Sequence, residues 1–482
     1  MLAVVHVLGS MLMLFSIAYV MPVVTSLIYA DGLLVDFVAA SLICLCAGAL
    51  LWAVTRRNKR ELRSRDGFLL VSLAWVLMSA IATVPLLLAI PGLTFTDAFF
   101  ETMSGLSTTG ATVLVGLDGL PPSINLWRHA LCWYGGMGII VLVVAILPLL
   151  GVGGMQLYKA ETPGPVKNEK LTPRITQTAK ALWFIYFLIT VACILSLKVA
   201  GMGWFDAVCH SFAAMALGGF STHDASVGYF NSVPIEMVLI VFMLIAAMNF
   251  ARHFIAWQQK SLRTYATDTE AKSMLAVIGL STLGIALYVW RSGVYPGFFQ
   301  SLRHVAFNLV SIATDCGFVS QDYALWPAFA PMWILMLSCY CANTGSTGGG
   351  IKMFRSLVLF RQAGRELMLL VHPQAVRALK IEGQVVQNQI VFAVLAFVVL
   401  YFGTVVTLTF MLLASGLDFV SSFSAIIACI NNAGPGLGLV GPASNFQGLT
   451  DFQTWVCSTA MLLGRLEIFS FLVLFTPTFW RK

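Results

Sequence analysis

Long apolar stretches alternate with short polar linkers along almost the entire chain. Ten of these stretches reach the roughly 20 residues that a helix needs to cross the hydrocarbon core of a bilayer. They lie at about 2–29, 33–54, 68–90, 124–150, 177–200, 232–256, 273–292, 325–360, 388–415 and 452–478. The pattern therefore predicts an all-α polytopic membrane protein with ten spans.

The composition supports this class of protein. Of the 482 residues, 59% are hydrophobic and only 10% are charged, and the mean hydropathy is +0.87. A soluble domain carries about 25% charged residues, so an ordinary soluble enzyme, a disordered chain and a nucleic-acid binder are excluded. The ten cysteines lie almost all in apolar runs, without the spacing of a zinc site, which indicates small buried residues.

Basic residues are concentrated in the linkers that follow the second, fourth, sixth and eighth spans, and at the C-terminal end. Loops rich in lysine and arginine stay in the cytoplasm, so this distribution predicts that both termini are cytoplasmic. The linkers on the opposite, outer face carry more acidic than basic residues. Such a face attracts cations and repels anions.

Four of the outer linkers are long, apolar and rich in glycine. Each joins a helical pattern of about 10–13 residues, too short to cross a bilayer, to a loop centred on a glycine. These loop glycines recur roughly every hundred residues, which predicts four pseudo-symmetric helix–pore loop–helix repeats around one ion pathway. The predicted divisions are two leading spans at 1–54 and repeats at 68–150, 176–256, 273–360 and 388–478.

The four glycine loops are the candidate functional site. Irregular backbone at membrane depth is tolerated only inside protein or along an aqueous cavity, and a ring of carbonyls can replace an ion's hydration shell. The predicted filter residues are Thr108, Thr109, Gly110, Leu217, Gly218, Gly219, Asp315, Cys316, Gly317, Asn432, Ala433 and Gly434. Because only Asp315 is ionisable, the ring favours a monovalent cation. The alternative is four re-entrant packing loops with glycine at their turns.

The eighth span is too long and is interrupted near its middle. As one helix, 325–360 would extend about 54 Å. The interruption consists of Asn343, Thr344, Gly345, Ser346, Thr347, Gly348, Gly349 and Gly350. Consecutive glycines do not sustain a helix, and helices broken at mid-membrane are typical of transport pathways. We predict a loop that lines the cavity below the filter, with a plain kink as the alternative.

Arg465 lies well inside the last span, where a charged side chain costs about 2.5–3.5 kcal/mol on insertion scales. We predict that it faces the pathway and donates hydrogen bonds to carbonyls or hydroxyls of residues 343–350. A structural salt bridge to a distant acid is the alternative. The spans contain no nucleophile–base pair and no metal motif, so an enzyme is not expected.

The segments STTGAT, LGGFST, TDCGF and NNAGPG resemble the filter segments of the TrkH/TrkG/KtrB superfamily of potassium transporters, most closely its bacterial TrkH/TrkG branch. The resemblance covers nearly the whole chain, including the glycine-rich break and the two leading spans. It implies K⁺ uptake across the bacterial inner (cytoplasmic) membrane, with K⁺ as the transported ion and no organic cofactor. Sodium-carrying plant relatives have serine at the first filter glycine, which is Gly110 here, so the resemblance favours K⁺.

The resemblance also implies a homodimer and a cytosolic nucleotide-binding regulator of the TrkA type. It assigns a gating role to the loop at 343–350 and to Arg465. A K⁺ symporter coupled to H⁺ or Na⁺ is the alternative function. Many symporters use paired repeats with corresponding broken helices, whereas this sequence predicts four parallel repeats with only one clearly broken span.

Overall fold

The apolar stretches fold as helices, the structure in which a segment satisfies all its backbone hydrogen bonds internally, as lipid requires. The computed structural model describes residues 2–57, 64–141, 175–375 and 378–481. The helices are α1 (Leu2–Phe15), α2 (Val20–Tyr29), α3 (Leu34–Thr55), α4 (Ser64–Ala82), α5 (Val84–Ala89), α6 (Phe95–Leu106), α7 (Pro122–Val141), α8 (Ile175–Val199), α9 (Trp204–Ala216), α10 (Val233–Ala246), α11 (Phe250–Gln259), α12 (Arg263–Thr267), α13 (Thr269–Arg291), α14 (Phe298–Ala313), α15 (Phe329–Ser338), α16 (Met353–Val371), α17 (Asn388–Ala414), α18 (Phe419–Ile430), α19 (Asp451–Arg465), α20 (Phe469–Leu472) and α21 (Pro477–Trp480). Between α16 and α17 lies a small antiparallel hairpin of β1 (Lys380–Ile381) and β2 (Gln384–Val385).

The two leading spans form one tightly packed unit. α1 and α2 continue one another through a single 3₁₀ turn at Ser16–Tyr19, and α3 packs back against α1. The two helices approach closely at Gly9 and Gly48. A methyl carbon added to Gly9 would lie 2.7 Å from the carbonyl oxygen of Gly48, and one added to Gly48 would lie 2.8 Å from that of Gly9. Small residues at such a crossing let two membrane helices approach backbone to backbone.

The rest of the chain repeats one unit four times, which confirms the predicted fold class. In each unit a long helix is followed by a short helix, a glycine loop and a second helix that returns toward the opposite face of the molecule. The short helices are α6, α9, α14 and α18, with 12, 13, 16 and 12 residues. At about 1.5 Å per residue none crosses a bilayer, and their C-terminal halves are buried in the centre of the molecule.

Six helical stretches of the described residues are long and apolar enough to cross a membrane, and eight if two bent helix pairs each count as one span. The predicted eighth span is divided between α15 and α16, as the glycine run indicated. The predicted fourth span is described as α7 up to Val141, and its remainder at 142–150 lies outside the described residues.

The prediction that only the eighth span is clearly broken is wrong. The sixth span bends by 95° between α10 and α11, and the tenth by 107° after α19. At the first bend Asn249 starts a new helix, because its side-chain oxygen accepts a hydrogen bond from the N–H of Ala251 at 2.8 Å. At the second bend Glu467 and Ile468 have φ values of 54° and 32°. Neither bend contains a glycine or proline, so no helix-breaking residue marks either position in the sequence.

Candidate functional site

All four short helices end in the same backbone turn. The residue two positions before each loop glycine has a left-handed conformation, with φ between 54° and 65° at Thr108, Leu217, Asp315 and Asn432. In each loop the N–H just before the glycine donates to the carbonyl five residues earlier at 2.8 Å. This 6→1 hydrogen bond, together with a 5→2 bond that is also present in all four loops, defines the Schellman helix end. Four different tripeptides therefore adopt one geometry.

The four loops close into a ring. A methyl carbon added to any loop glycine would lie less than 3.0 Å from a carbonyl oxygen of the next loop, in cyclic order. The glycine and carbonyl pairs are Gly110 with Gly218 (2.1 Å), Gly219 with Cys316 (2.1 Å), Gly317 with Ala433 (2.6 Å) and Gly434 with Thr109 (2.9 Å). The fourth loop thus contacts the first, and the twelve residues predicted as a filter lie together around one axis.

A small cavity of about 80 Å³ lies over the ring. All four loop glycines line it, together with residues that follow them, including Thr112, Ser221 and Val319. Within the described parts of the chain, no group of three or more histidine, cysteine, aspartate or glutamate residues suits a metal ion. What the ring offers to a ligand is therefore mainly neutral backbone oxygen.

A buried ion pair behind the ring was not predicted as part of the site. Arg128 donates from Nε to Glu101 Oε1 at 2.7 Å, and both side chains are almost fully buried. Its other nitrogens donate to the carbonyl of Ser221 and to the hydroxyl of Thr112, at 3.3 and 3.2 Å. Because Thr112 follows the first loop glycine and Ser221 the second, the pair joins two loops. The sequence feature that could have indicated this pair is one acidic and one basic residue, each isolated within an apolar stretch.

The segment 343–350 forms a buried, irregular loop that contacts the residues preceding the ring glycines. The N–H of Gly349 donates to Asp315 Oδ2 at 3.0 Å, and the hydroxyl of Thr347 donates to the carbonyl of Met215 at 3.2 Å. A methyl carbon on Gly349 would lie 2.0 Å from the carbonyl oxygen of Asn431. The glycines thus let the loop backbone lie directly against the ring, on the side away from the outer cavity.

The first half of this loop is anchored to the second and third repeats. The N–H of Thr344 donates to Glu270 Oε2 at 2.9 Å, and the N–H of Asn343 donates to the carbonyl of Ala247 at 3.1 Å. Gly345 accepts a hydrogen bond from the N–H of Phe250, the first residue after the unpredicted bend. Glu270 was not predicted as a site residue, because nothing in the sequence relates it to a loop more than 70 residues away.

Arg465 is buried between the first and third repeats. Its Nη1 donates to the carbonyl of Thr347 at 2.8 Å and its Nη2 to the carbonyl of Gly135 at 3.0 Å. The guanidinium also lies 5.8 Å from the ring centre of Trp75. Its hydrogen-bond partners are carbonyl oxygens, one of them in the loop at 343–350, rather than a distant carboxylate.

A second ionic contact fixes the end of the loop. Glu467, at the bend after α19, accepts from Arg355 at 2.7 Å and lies 3.4 Å from the Lys352 ammonium. The Arg355 guanidinium packs 4.0 Å from the ring centre of Phe397. The charge pattern counted both bases with the basic linker that follows the eighth span. The structure buries their side chains in a contact between the third and fourth repeats.

These observations define a polytopic membrane protein whose four repeats converge on one ring of backbone carbonyls, covered on one side by an irregular loop. The family model TrkH, described as a cation transport protein, matches residues 34–482. The chain therefore belongs to the TrkH family of cation transport proteins, and the resemblance inferred from the filter segments is confirmed.

Proteins named as Trk system potassium uptake proteins are similar over the full length of the chain. The Trk system potassium uptake protein TrkH of Escherichia coli (strain K12) is 46% identical over 481 residues, covering 100% of this chain and 99% of that protein. The Trk system potassium uptake protein TrkG of the same strain is 40% identical over 482 residues, covering 99% and 98%. The crystal structure of the potassium transporter TrkH from Vibrio parahaemolyticus matches with a TM-score of 0.92 at 44% identity, covering 100% and 99%.

Proposed function

We propose that this protein takes up K⁺ across the bacterial inner (cytoplasmic) membrane through a channel-like pore, with the carbonyl ring as its selectivity filter. The observation that carries the proposal is the closed ring, in which each loop glycine faces a carbonyl of the next loop. Such a ring replaces the hydration shell of a monovalent cation. Relatives named as potassium uptake proteins support K⁺ as the transported substrate, and the proposal requires no organic cofactor.

We propose that the loop at 343–350 and Arg465 form the gate. The loop lies against the ring with most of its residues buried, and Arg465 hydrogen-bonds its backbone. A positive charge in a low-dielectric pathway raises the energy of a passing cation, so the described arrangement suits a closed pore. Opening requires that the loop leave the ring, and the Arg465 hydrogen bond opposes that movement.

The inferred assembly includes a homodimer and a cytosolic nucleotide-binding regulator of the TrkA type, with both termini in the cytoplasm. The concentration of basic residues in alternate linkers supports this orientation. The names of the relatives, which describe a Trk system, support a protein that works with other components. We retain the divisions 1–54, 68–150, 176–256, 273–360 and 388–478 as the repeat boundaries in this proposal.

A K⁺ symporter coupled to H⁺ or Na⁺ is the alternative. The bends after α10 and α19, which the sequence did not predict, support this alternative, because broken helices in several repeats are common among symporters. The four parallel repeats around one ring still support a channel-like pore, since many symporters are built from paired or inverted repeats.

The test is Rb⁺ and Na⁺ flux into proteoliposomes that hold the purified protein, with and without Gly110→Ser. We expect Rb⁺ flux to exceed Na⁺ flux in the wild type. The ratio should fall about tenfold or more in the variant, because any side chain at Gly110 collides with the carbonyl of Gly218. Gly119→Ser is the control, since no atom lies within 4 Å of a methyl carbon added there.

Two outcomes would count against the proposal. An unchanged ratio in well-folded Gly110→Ser protein would remove the carbonyl ring as the selectivity filter. No Rb⁺ flux, even with the regulator and nucleotide added, would favour the coupled symporter.

A further inference from the structure

Buried side-chain oxygens without hydrogen-bond partners recur at equivalent positions below the ring. They are Thr108 Oγ1, Asp315 Oδ1 and Asn432 Oδ1, each on the residue two positions before a loop glycine. All three residues are at most 1% exposed. Leaving a buried polar atom unpaired is costly, so three such atoms at corresponding places in the first, third and fourth repeats point to a ligand-binding position.

The loop at 343–350 lies directly against two of these side chains. Its Gly349 N–H donates to the second carboxylate oxygen of Asp315 at 3.0 Å. A methyl carbon on the same glycine would lie 3.2 Å from Asn432 Oδ1, and one on Gly348 would lie 3.3 Å from Asp315 Oδ2. Gly349 therefore sits between the carboxylate of the third repeat and the amide oxygen of the fourth.

We propose that the side-chain oxygens of Asp315, Asn432 and Thr108 form a second cation site at the inner end of the ring. One carboxylate and two neutral oxygens make a hard-oxygen donor set whose single negative charge balances one monovalent cation. In the described arrangement the Gly349 N–H shares this carboxylate, through its other oxygen Oδ2. The site rests on the proposed function, because it requires cations to travel through the ring.

The loop and the cation share one carboxylate, the loop through Oδ2 and the cation through Oδ1. A cation bound to Oδ1 withdraws negative charge from Oδ2 and so weakens the hydrogen bond from the Gly349 N–H. Displacement of the loop, in turn, leaves the full charge of the carboxylate to the cation. Because the two events share one group, cation binding and loop release favour each other by the same free energy.

The experiment measures cation binding apart from transport. Thermal unfolding of the purified full-length protein in detergent is followed as K⁺ replaces choline at constant ionic strength. The K⁺ concentration that gives half-maximal stabilisation reports the affinity. In Asp315→Asn we expect this concentration to rise about tenfold, because the charge-assisted contact with the cation is lost. The amide oxygen still accepts the Gly349 N–H, so the fold is retained.

The matched control is Asp322→Asn. Asp322 lies in the outer linker of the same repeat and caps a single turn by accepting the N–H of Ala324 at 3.0 Å. Asparagine caps equally well, so this change removes one negative charge without facing the inner site. We expect its K⁺ concentration for half-maximal stabilisation to equal that of the wild type.

A variant of the loop should shift the affinity in the opposite direction. In Gly349→Ala the methyl group would lie 2.0 Å from the carbonyl oxygen of Asn431, which forces the loop away from Asp315. We expect tighter K⁺ binding in this variant, and we expect the double variant with Asp315→Asn to behave like Asp315→Asn alone. If Gly349→Ala protein does not fold, Asp315→Asn and its control decide the question.

Three results would overturn the inner site: a wild type whose unfolding ignores K⁺, an unchanged K⁺ concentration in Asp315→Asn, or weaker binding in Gly349→Ala. The proposed function fails separately, when wild-type proteoliposomes take up no Rb⁺. Normal Rb⁺ uptake combined with unaltered K⁺ binding in Asp315→Asn would reject the inner site alone.

Discussion

At the scale of single residues, the two special positions of each loop have different physical requirements. The residue two positions before the glycine needs only a left-handed backbone, which costs about 1–2 kcal/mol for a residue with a side chain. Thr108 and Leu217 both tolerate it, because the Schellman hydrogen bonds hold the turn. The glycine position also needs empty space, since a carbonyl of the next loop fills the place of its side chain. Only glycine meets both conditions.

Arg465→Ala is expected to raise Rb⁺ leak several-fold in the absence of a regulator. The change removes the hydrogen bond to the Thr347 carbonyl and the positive charge beside the pathway. Rb⁺ uptake into proteoliposomes measures the leak, and Arg481→Ala, at the exposed end of the chain, is the control. Wild-type flux in folded Arg465→Ala protein would contradict the gating role.

Arg128→Gln is expected to destabilise the protein by about 3–5 kcal/mol, because it leaves the carboxylate of Glu101 buried without its cation. The double variant Glu101→Gln with Arg128→Met should lose less, since no charge is left unpaired. Thermal unfolding compares the two. Equal stability losses would show that Arg128 acts through its packing on Phe220 rather than through its charge.

At the scale of helices, the second helix of a repeat packs against the end of its short helix through one glycine. In α7 a methyl carbon on Gly135 would lie 1.9 Å from the carbonyl oxygen of Leu106. In α19 one on Gly464 would lie 1.9 Å from that of Ile430. The same contact in the first and fourth repeats sets how far each short helix extends toward the ring.

Gly135→Ala is expected to lower the unfolding temperature and to reduce Rb⁺ flux, because the helices must separate to admit the methyl group. The same helix provides a matched control, Gly138→Ala, whose new methyl carbon would meet only the edge of Trp75 at 3.9 Å. That control should be neutral or more stable by up to about 1 kcal/mol, since alanine is the better helix former. Similar losses in both variants would refute the close-packing explanation.

The elements predicted from sequence are those with a strong local signal. Apolar length gave the spans, and the short patterns before Gly110, Gly219, Gly317 and Gly434 gave the re-entrant helices. The bend at Asn249 was missed because an asparagine cap between two apolar stretches looks the same as a polar residue within a span. The local signal thus identifies elements but not the tertiary contacts that bend them.

The residues of the candidate site likewise divide into those with a local sequence signal and those without one. The ring was predictable because every member sits beside a repeated glycine. The acids that hold the ring and the loop at 343–350 in place, Glu101, Glu270 and Glu467, are single residues whose partners are distant in sequence. A single sequence does not indicate which distant base or amide such an acid will contact. The only sign of these residues is a charged side chain within a segment that is expected to be buried.

At the scale of the whole molecule, the loop at 343–350 is held between two bodies. The fourth repeat contacts it through Arg465, and Glu467 fixes the bases that follow it. The second and third repeats hold its other end through Ala247 and Glu270. We therefore expect a movement that separates these bodies to pull the loop away from the ring and to break its hydrogen bonds to Asp315 and Met215.

The hairpin β1–β2 joins the predicted cytoplasmic linker to the second of these bodies. At its tip, Glu382 accepts two hydrogen bonds from Arg252 at 3.2 Å and one from the N–H of Thr269 at 3.0 Å. Arg252 follows the bend in the second repeat, and Thr269 directly precedes Glu270. A displacement of the hairpin thus acts on both anchors of the first half of the loop.

Glu382→Gln is accordingly expected to raise regulator-independent Rb⁺ flux, by less than Arg465→Ala does, because it loosens the anchors without touching the loop. Arg252→Gln should act at least as strongly, because it also removes the contact with Asp268 at 3.6 Å. The double variant should add little to Arg252→Gln, since both changes break the same ion pair. Glu366→Gln, a half-exposed acid on α16, is the control. Wild-type flux in Glu382→Gln, or fully additive effects in the double variant, would show that the hairpin is only a connector. If the two side chains act through their shared ion pair, the second change removes a contact that the first change has already broken.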